Sequence, residues 1–134
     1  MAPDGLTLLQ SAHRARETMD RLEAAVRAKG MTVFARIDHA AGAVAAGLSL
    51  RPTEVLIFGT AKAGTPLMAA VQSSGIDLPL KVLVYEDEAG ATWLAYNQPG
   101  WLQHRHGVPA GLDATVAAMS QGLDALAKAA AAPA

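Results

Sequence analysis

Residues 81–96 read KVLVYEDEAGATWLAY, and this stretch decides the fold class. Lys81 to Glu86 and Ala91 to Tyr96 are runs rich in β-branched and aromatic residues, which suit strands. Between them lies Asp87-Glu88-Ala89-Gly90, a tight turn in which glycine supplies the positive φ that hairpin loops need. Two strands joined by so short a loop must run antiparallel. Alternation puts Val82, Val84 and Glu86 on one face, with Lys81, Leu83 and Tyr85 on the other. Trp93 and Tyr96 face opposite ways.

Working outward, Val55 to Phe58 is apolar on both faces and reads as an interior strand. Arg51-Pro52 before it is extended, because a residue preceding proline avoids the α region. Met31 to Ile37 reads as another strand, with Val33, Ala35, Ile37 and His39 on one face and Phe34, Arg36 and Asp38 on the other. Leu6 to Gln10 suits an edge strand. Ala15, Met19, Leu22 and Val26 form the apolar stripe of a helix over 12–29, with Ser11 as its N-cap and Gly30 as its stop. Glu17/Arg21 and Glu23/Arg27 are i,i+4 pairs on its wet face. Ala40 to Leu48 forms a short helix. Thr65 and Pro66 read as N-cap and first residue of a helix that runs to Ser74 and stops at Gly75. Residues 100–106 make a helical turn closed by Gly107 and Pro109. Leu112, Val116, Met119, Leu123 and Leu126 stripe a last helix over 112–130. Helices and strands intermixed with a hairpin predict an α+β fold, with helices packed on a single sheet.

With 134 residues, one domain over 1–134 is the natural reading, its alanine-rich end at 128–134 frayed. Hydrophobic residues make up 51% and aromatic ones 4%, so the core is fine-grained. The net charge of −1 offers no basic excess or stripe, which argues against nucleic acid. The absence of cysteine excludes disulfides, thiolate catalysis and Cys-type zinc sites. No stretch reaches the ~18 consecutive apolar residues of a membrane span. The start Met-Ala-Pro-Asp-Gly lacks the basic and apolar segments of a signal peptide. A soluble cytoplasmic protein is the expectation, which a leader lost from the N-terminus would change.

Polar groups gather at the strand ends, where rigid scaffolds present binding residues. The segment Gly59 to Pro66 leaves a strand and enters a helix, the geometry that cradles phosphates. Its glycine spacing imitates the P-loop, but Thr65 stands where that motif needs lysine and Pro66 where it needs Ser or Thr. Nucleotide hydrolysis of that type is excluded; a weaker anion site at Lys62, Gly64 and Thr65 competes with a plain helix cap. Asp38 and His39 offer acid–base or metal chemistry. On a continuing strand they point to opposite faces, and Asp38 then serves better as the cap of the next helix. His104 and His106 would chelate a metal from a strand; on a helix they diverge by about 200°. The helical reading makes His106 a cation at a helix C-terminus beside Gly107. Arg51, Glu54, Asp77, Lys81, Glu86 and Asp87 are placed to pair between strand ends. Trp93, Tyr96 and Trp101 fit a pocket wall, a dimer contact or core packing. No Gly-x-Ser-x-Gly elbow and no His-Glu-x-x-His motif occurs.

The blocks VFARIDHAAGA (33–43), LRPTEVLIFGTAKAGTPLM (50–68), DLPLKVLVYED (77–87), TWLAYN (92–97) and RHGV (105–108) resemble the domain-of-unknown-function 302 family. The resemblance covers about residues 30–108, the first helix fits as well, and the family-like core extends over about 5–127. It implies a single mixed, largely antiparallel sheet in a TBP-like arrangement, and a compact, often dimeric bacterial protein. It marks Asp38, His39, Arg51, Pro52, Glu54, Gly59, Gly64, Thr65, Pro66 and Asp77 as matched positions. Leu78, Pro79, Lys81, Tyr96, Asn97, Arg105 and His106 match as well, whereas His104 does not. Where family members often carry asparagine-proline, this chain has Thr60-Ala61, which loosens the loop.

Together these readings predict a homodimeric module that binds a small anion or divalent metal. Its site would comprise Asp38, His39, Arg51, Glu54, Lys62, Gly64, Thr65, Lys81, Arg105 and His106. The rivals are a hydrolase- or isomerase-like enzyme, with His39 or His106 as general base oriented by Asp38, and a protein-interaction or regulatory module. Neither the substrate nor a cofactor can be named from these residues.

Overall fold

The computed structural model describes residues 2–134. In chain order the strands are β1 (Leu6–Gln10), β2 (Thr32–Asp38), β3 (Thr53–Gly59), β4 (Leu80–Glu86) and β5 (Thr92–Asn97). The helices are α1 (Ala15–Ala28), α2 (His39–Ala45), α3 (Ala61–Ala70), α4 (Pro99–His106) and α5 (Asp113–Ala131), with 3-10 turns at Gln72–Asp77 and Ala110–Leu112. The strands form one sheet in the order β1-β5-β4-β3-β2. All four pairings are antiparallel, so the largely antiparallel sheet carries no parallel pair among the described residues.

The β4–β5 hairpin forms as its sequence dictates. Asp87 Oδ1 accepts the N–H groups of Ala89 and Ala91 at 3.0 and 2.9 Å, and Trp93 Nε1 donates to Asp87 Oδ2 at 2.8 Å. These bonds, led by that from Trp93, hold the Asp87 carboxyl below its ordinary range.

One sheet face builds the core. Leu56, Phe58, Val82, Val84 and Leu94 lie against the α1 stripe of Ala15, Met19, Leu22 and Val26 and against Leu123 and Leu126 of α5. A second, smaller cluster joins Leu67 of α3, Val108, Val116 and Met119. The opposite face carries the cross-strand row Leu8, Ala95, Leu83, Val55, Ile37 across all five strands. None of these belongs to either cluster, and the row ends, Leu8 and Ile37, are 38% and 41% exposed.

Local expectations fail where distant contacts intervene. Helix α1 begins at Ala15, and Arg14, not Ser11, is its N-cap. Ser11 and Ala12 are held away from the helix because their N–H groups donate to Thr92 O and Ala131 O, both at 2.8 Å. The Ser11 hydroxyl instead bonds Thr18 Oγ1 at 2.7 Å. Arg21 does not turn to Glu17; it donates to the carbonyls of Ala129, Ala130 and Ala132 at 3.0–3.1 Å. A cation on the last carbonyls of α5 is favourable. The chain end expected to fray from 128 is therefore helical to Ala131, with Ala130 and Ala131 buried.

Helix α3 begins at Ala61, capped by Thr60, whose Oγ1 accepts the Ala63 N–H at 3.2 Å. Thr65 and Pro66 are helix interior, and Pro66 has no N–H to offer the Lys62 carbonyl. The helix ends at Ala70, and Gln72–Asp77 continues as a 3-10 turn. Strand β2 carries a bulge between Val33 and Ala35. Phe34 is the extra residue and is 56% exposed. The bulge sets Val33 and Arg36 on the core face opposite Phe58 and Leu56, and Ala35 and Ile37 on the other. The single-face alternation expected for Val33, Ala35 and Ile37 is thus broken.

Candidate functional site

The two ends of the sheet carry separate groups of polar residues. At one end, Asp38 and Glu54 are cross-strand partners at the close of β2 and the start of β3. Asp38 caps α2, its Oδ1 accepting the Ala41 N–H at 2.8 Å, and His39 is the exposed first residue of that helix. The strand thus breaks between them, with Asp38 as the cap and His39 as the first residue of the same helix. Arg51 lies at this end too, donating from Nε to Glu86 O at 3.3 Å.

At the other end, Gly59 pairs with Thr32. Lys62, Gly64 and Thr65 follow on α3. Gly64 lies within the helix, where an added Cβ would meet Met68 and Leu78 at 3.6 and 3.8 Å. No glycine loop remains to wrap a phosphate. Lys81 folds back, its Nζ donating to Pro79 O at 3.0 Å. Along β3, at about 3.3 Å per residue, the two ends lie on the order of 20 Å apart. The ten residues assigned to one site from the sequence therefore fall into two groups.

Arg105 and His106 converge on Asp77. Arg105 Nη1 contacts both carboxylate oxygens, at 3.1 and 2.9 Å, and its guanidinium lies 5.8 Å from the Trp101 ring centroid. His106 Nε2 lies 2.5 Å from Asp77 Oδ2, and its Nδ1 lies 3.3 Å from Ser73 Oγ. His106 thus takes Asp77, not Asp38, as its orienting carboxylate. His104 is exposed and takes no part. Among the described residues no group of three or more His, Asp or Glu side chains is placed to hold a metal ion.

A cleft of about 470 Å³ opens at the Asp38 end, between α1, α2 and strands β3 and β4. Val44, Leu50 and Val84 give it an apolar lining, and Arg14, Arg16 and Glu86 add charge. Asp38 and Glu54 also line it, but both carboxylates are engaged. Glu54 accepts from Arg36 through Nε at 2.9 Å and Nη2 at 3.2 Å. Arg36 also reaches Asp20 at 2.8 Å and Glu23 at 3.2 Å on α1. The Glu54 bond raises the Arg36 pKa further, and Arg27 and then Arg36 hold the Glu23 carboxyl below its ordinary value. Arg14 and Arg16 make no side-chain hydrogen bond or ion pair with another described residue. Two further clefts, of about 450 and 310 Å³, flank Gly59 and Thr60 and are mostly apolar.

Sequence reasoning missed Arg14, Arg16 and Ser73 as site candidates, and it left Arg36 out of the site. Arg36 carried a signal: a lone cation on an apolar strand requires acidic partners. Nothing in the spacing says that they come from α1 and β3.

The match to known proteins covers almost the whole of this architecture. The family model for "Domain of unknown function DUF302" matches residues 8–126. The chain belongs to this family. A crystal structure of an uncharacterized conserved DUF302 protein from Bacillus stearothermophilus superposes with a TM-score of 0.83 at 19% identity, covering 96% of this chain and 99% of that one. At that identity the likeness speaks for the fold. Among curated relatives, "Fluoride-specific ion channel FluC 1" of Brucella suis biovar 1 is 43% identical over 124 residues, 92% of this chain and 49% of the relative. "Fluoride-specific ion channel FluC 2" of Brucella melitensis biotype 1 is 43% identical over 124 residues, 46% of its length. The chain spans about half the length of these relatives. No helix among the described residues is long and apolar enough to cross a membrane.

Proposed function

We propose that the chain is a self-associating binding module that takes a small organic anion in the cleft between α1, α2 and the β3–β4 end. One observation carries this reading: Arg14 and Arg16 line the cleft without a protein partner and outnumber Glu86, the one lining carboxylate likewise unpaired among the described residues, while the Asp38 and Glu54 carboxylates are already committed. The guanidinium groups suit a carboxylate or phosphate and repel a divalent cation, so of the two expected ligand classes the anion is favoured. Val44, Leu50 and Val84 accept an apolar body. A cleft near 470 Å³ has the size of small-molecule sites, far above that of a bare halide. The names of the Brucella relatives, of whose length this chain spans about half, support a place beside a membrane channel.

The partner for self-association is a second copy on the open sheet face. Along the row from Leu8 to Ile37 the face is uncharged; Lys81, one row away, is exposed. Strands spaced about 4.8 Å apart and roughly 18 Å long present on the order of 450 Å² per copy. A pair then buries about 900 Å², at the lower end for specific association, which predicts a dimer that dissociates on dilution. Leu83→Lys should leave a folded monomer by light scattering; a wild-type monomer at all concentrations overturns the dimer. For the ligand, carboxylates and phosphates should raise the melting temperature of wild type but not of Arg14→Ala/Arg16→Ala. Equal shifts in both proteins, or none in wild type, refute the cleft.

A further inference from the structure

The proposed ligand cleft leaves the Asp77 end of the sheet without a role. There the structure places a nucleophile, a base and an orienting carboxylate in one hydrogen-bonded line. We infer that Ser73, His106 and Asp77 form an acyl-transfer site that accepts activated carboxylic esters.

Protonation follows from the partners. Asp77, ion-paired with Arg105 at 2.9 Å, has only lone pairs to offer. Its close neighbour, His106 Nε2, must therefore carry the ring proton. With that proton on Nε2, it is Nδ1 that faces Ser73 Oγ, at 3.3 Å, placed to take the hydroxyl proton. The two ring nitrogens exchange the places they hold in chymotrypsin-like triads, but the logic is unchanged: base toward serine, N–H toward carboxylate. Burial supports the assignment. The His106 side chain is 8% exposed and held from both sides, whereas Ser73 is exposed and open to substrate. The void beside His106, lined by Leu67, Asp77, Leu102 and Met119, is only about 10 Å³. The acyl group must therefore approach Ser73 from the solvent side.

In the first step the Ser73 Oγ–H proton passes to His106 Nδ1 as Oγ bonds to the ester carbonyl carbon. The carbon–oxygen bond to the alcohol then breaks, and the alcohol leaves with the proton from Nδ1. Water reverses the sequence: it loses a proton to Nδ1, its oxygen bonds to the acyl carbon, and Ser73 departs with the proton. Asp77 holds the imidazolium through Nε2–H, and Arg105 acts as a positioning residue on that carboxylate. The residues named here supply a positioned base, which contributes about 10²–10⁴-fold. Activated aryl esters are the matching class.

The test uses p-nitrophenyl acetate, with intact-mass and peptide mass spectrometry on the full chain. Wild type should gain one acetyl group on Ser73 with a matching burst of nitrophenol. Exposed Ser73→Ala should fold and lose both, and His106→Gln should slow the burst by about 100-fold or more with Ser73 present. If His106→Gln unfolds, folded and urea-unfolded wild type decide instead: selective acetylation of folded Ser73 supports the site. Ser73 acetylated no faster folded than unfolded, or an unchanged burst in Ser73→Ala, overturns it.

Discussion

Replacing Arg36 with methionine should destabilise the fold by about 3 kcal/mol, because charge-assisted hydrogen bonds contribute roughly 1.5–3 kcal/mol each when half-buried and near zero to 1 when exposed. Arg36 is 24% exposed and Glu54 16%, whereas Asp20 is 59% exposed. The paired bonds to Glu54, at 2.9 and 3.2 Å, therefore dominate, and the Asp20 contact adds little. Methionine keeps much of the stem volume against the core, so the loss is mainly electrostatic. It leaves Glu54 unpaired in a low-dielectric setting, which costs more than the bond itself. Glu54→Gln in the Arg36→Met background should recover part of the loss, with a coupling energy near 2 kcal/mol in a double-mutant cycle. Urea unfolding of the four proteins measures this directly. Additivity within about 0.5 kcal/mol would refute the claim that Arg36 and Glu54 act as a pair.

Other outcomes follow from particular residues. Thr60→Ala should cost about 1 kcal/mol by loss of the α3 cap, and Thr65→Ala clearly less, as followed by thermal unfolding; the reverse order would restore Thr65 as the cap. Gly107→Ala should cost about 1–2 kcal/mol for its left-handed φ of +66° alone, since an added Cβ meets nothing within 4 Å. Gly5→Ala should cost more, because its Cβ would overlap the Trp101 ring in addition to a φ of +79°. Glu23 and Asp87 have folded-state pKa values below their unfolded ones. Their stabilisation is full above the unfolded carboxylate range, about 4, and is lost as pH falls through the folded values. Glu23→Gln and Asp87→Asn should each flatten the fall in urea midpoint below that pH, and unchanged slopes would count against both assignments.

Legibility followed the range of the interactions. The hairpin at 81–96, the α1 stripe and the Gly107 stop rest on neighbours in sequence, and all three stand in the fold. The start of α3 was misplaced because Thr60 and Thr65 both look like caps locally. Thr60 directly follows Gly59, the end of β3, and so wins. Ser11 lost its cap to hydrogen bonds from β5 and the chain end, and a bulge at Phe34 turned half of β2 over.

The sequence by itself determined the α+β class, the family, the stripes that make the core and a set of polar strand ends around the opening hairpin. The class and the stripes depend on propensity and periodicity, which act over a few residues, and the family rests on the resemblance of the sequence blocks quoted above. Only the tertiary structure decided how the polar residues group. Asp38 and Glu54 meet across β2 and β3. Asp77, Arg105, His106 and Ser73 meet at the far end of the sheet, 28 to 33 residues apart in sequence. Strand register and helix packing bring such groups together, and those depend on contacts between distant segments that no local spacing records.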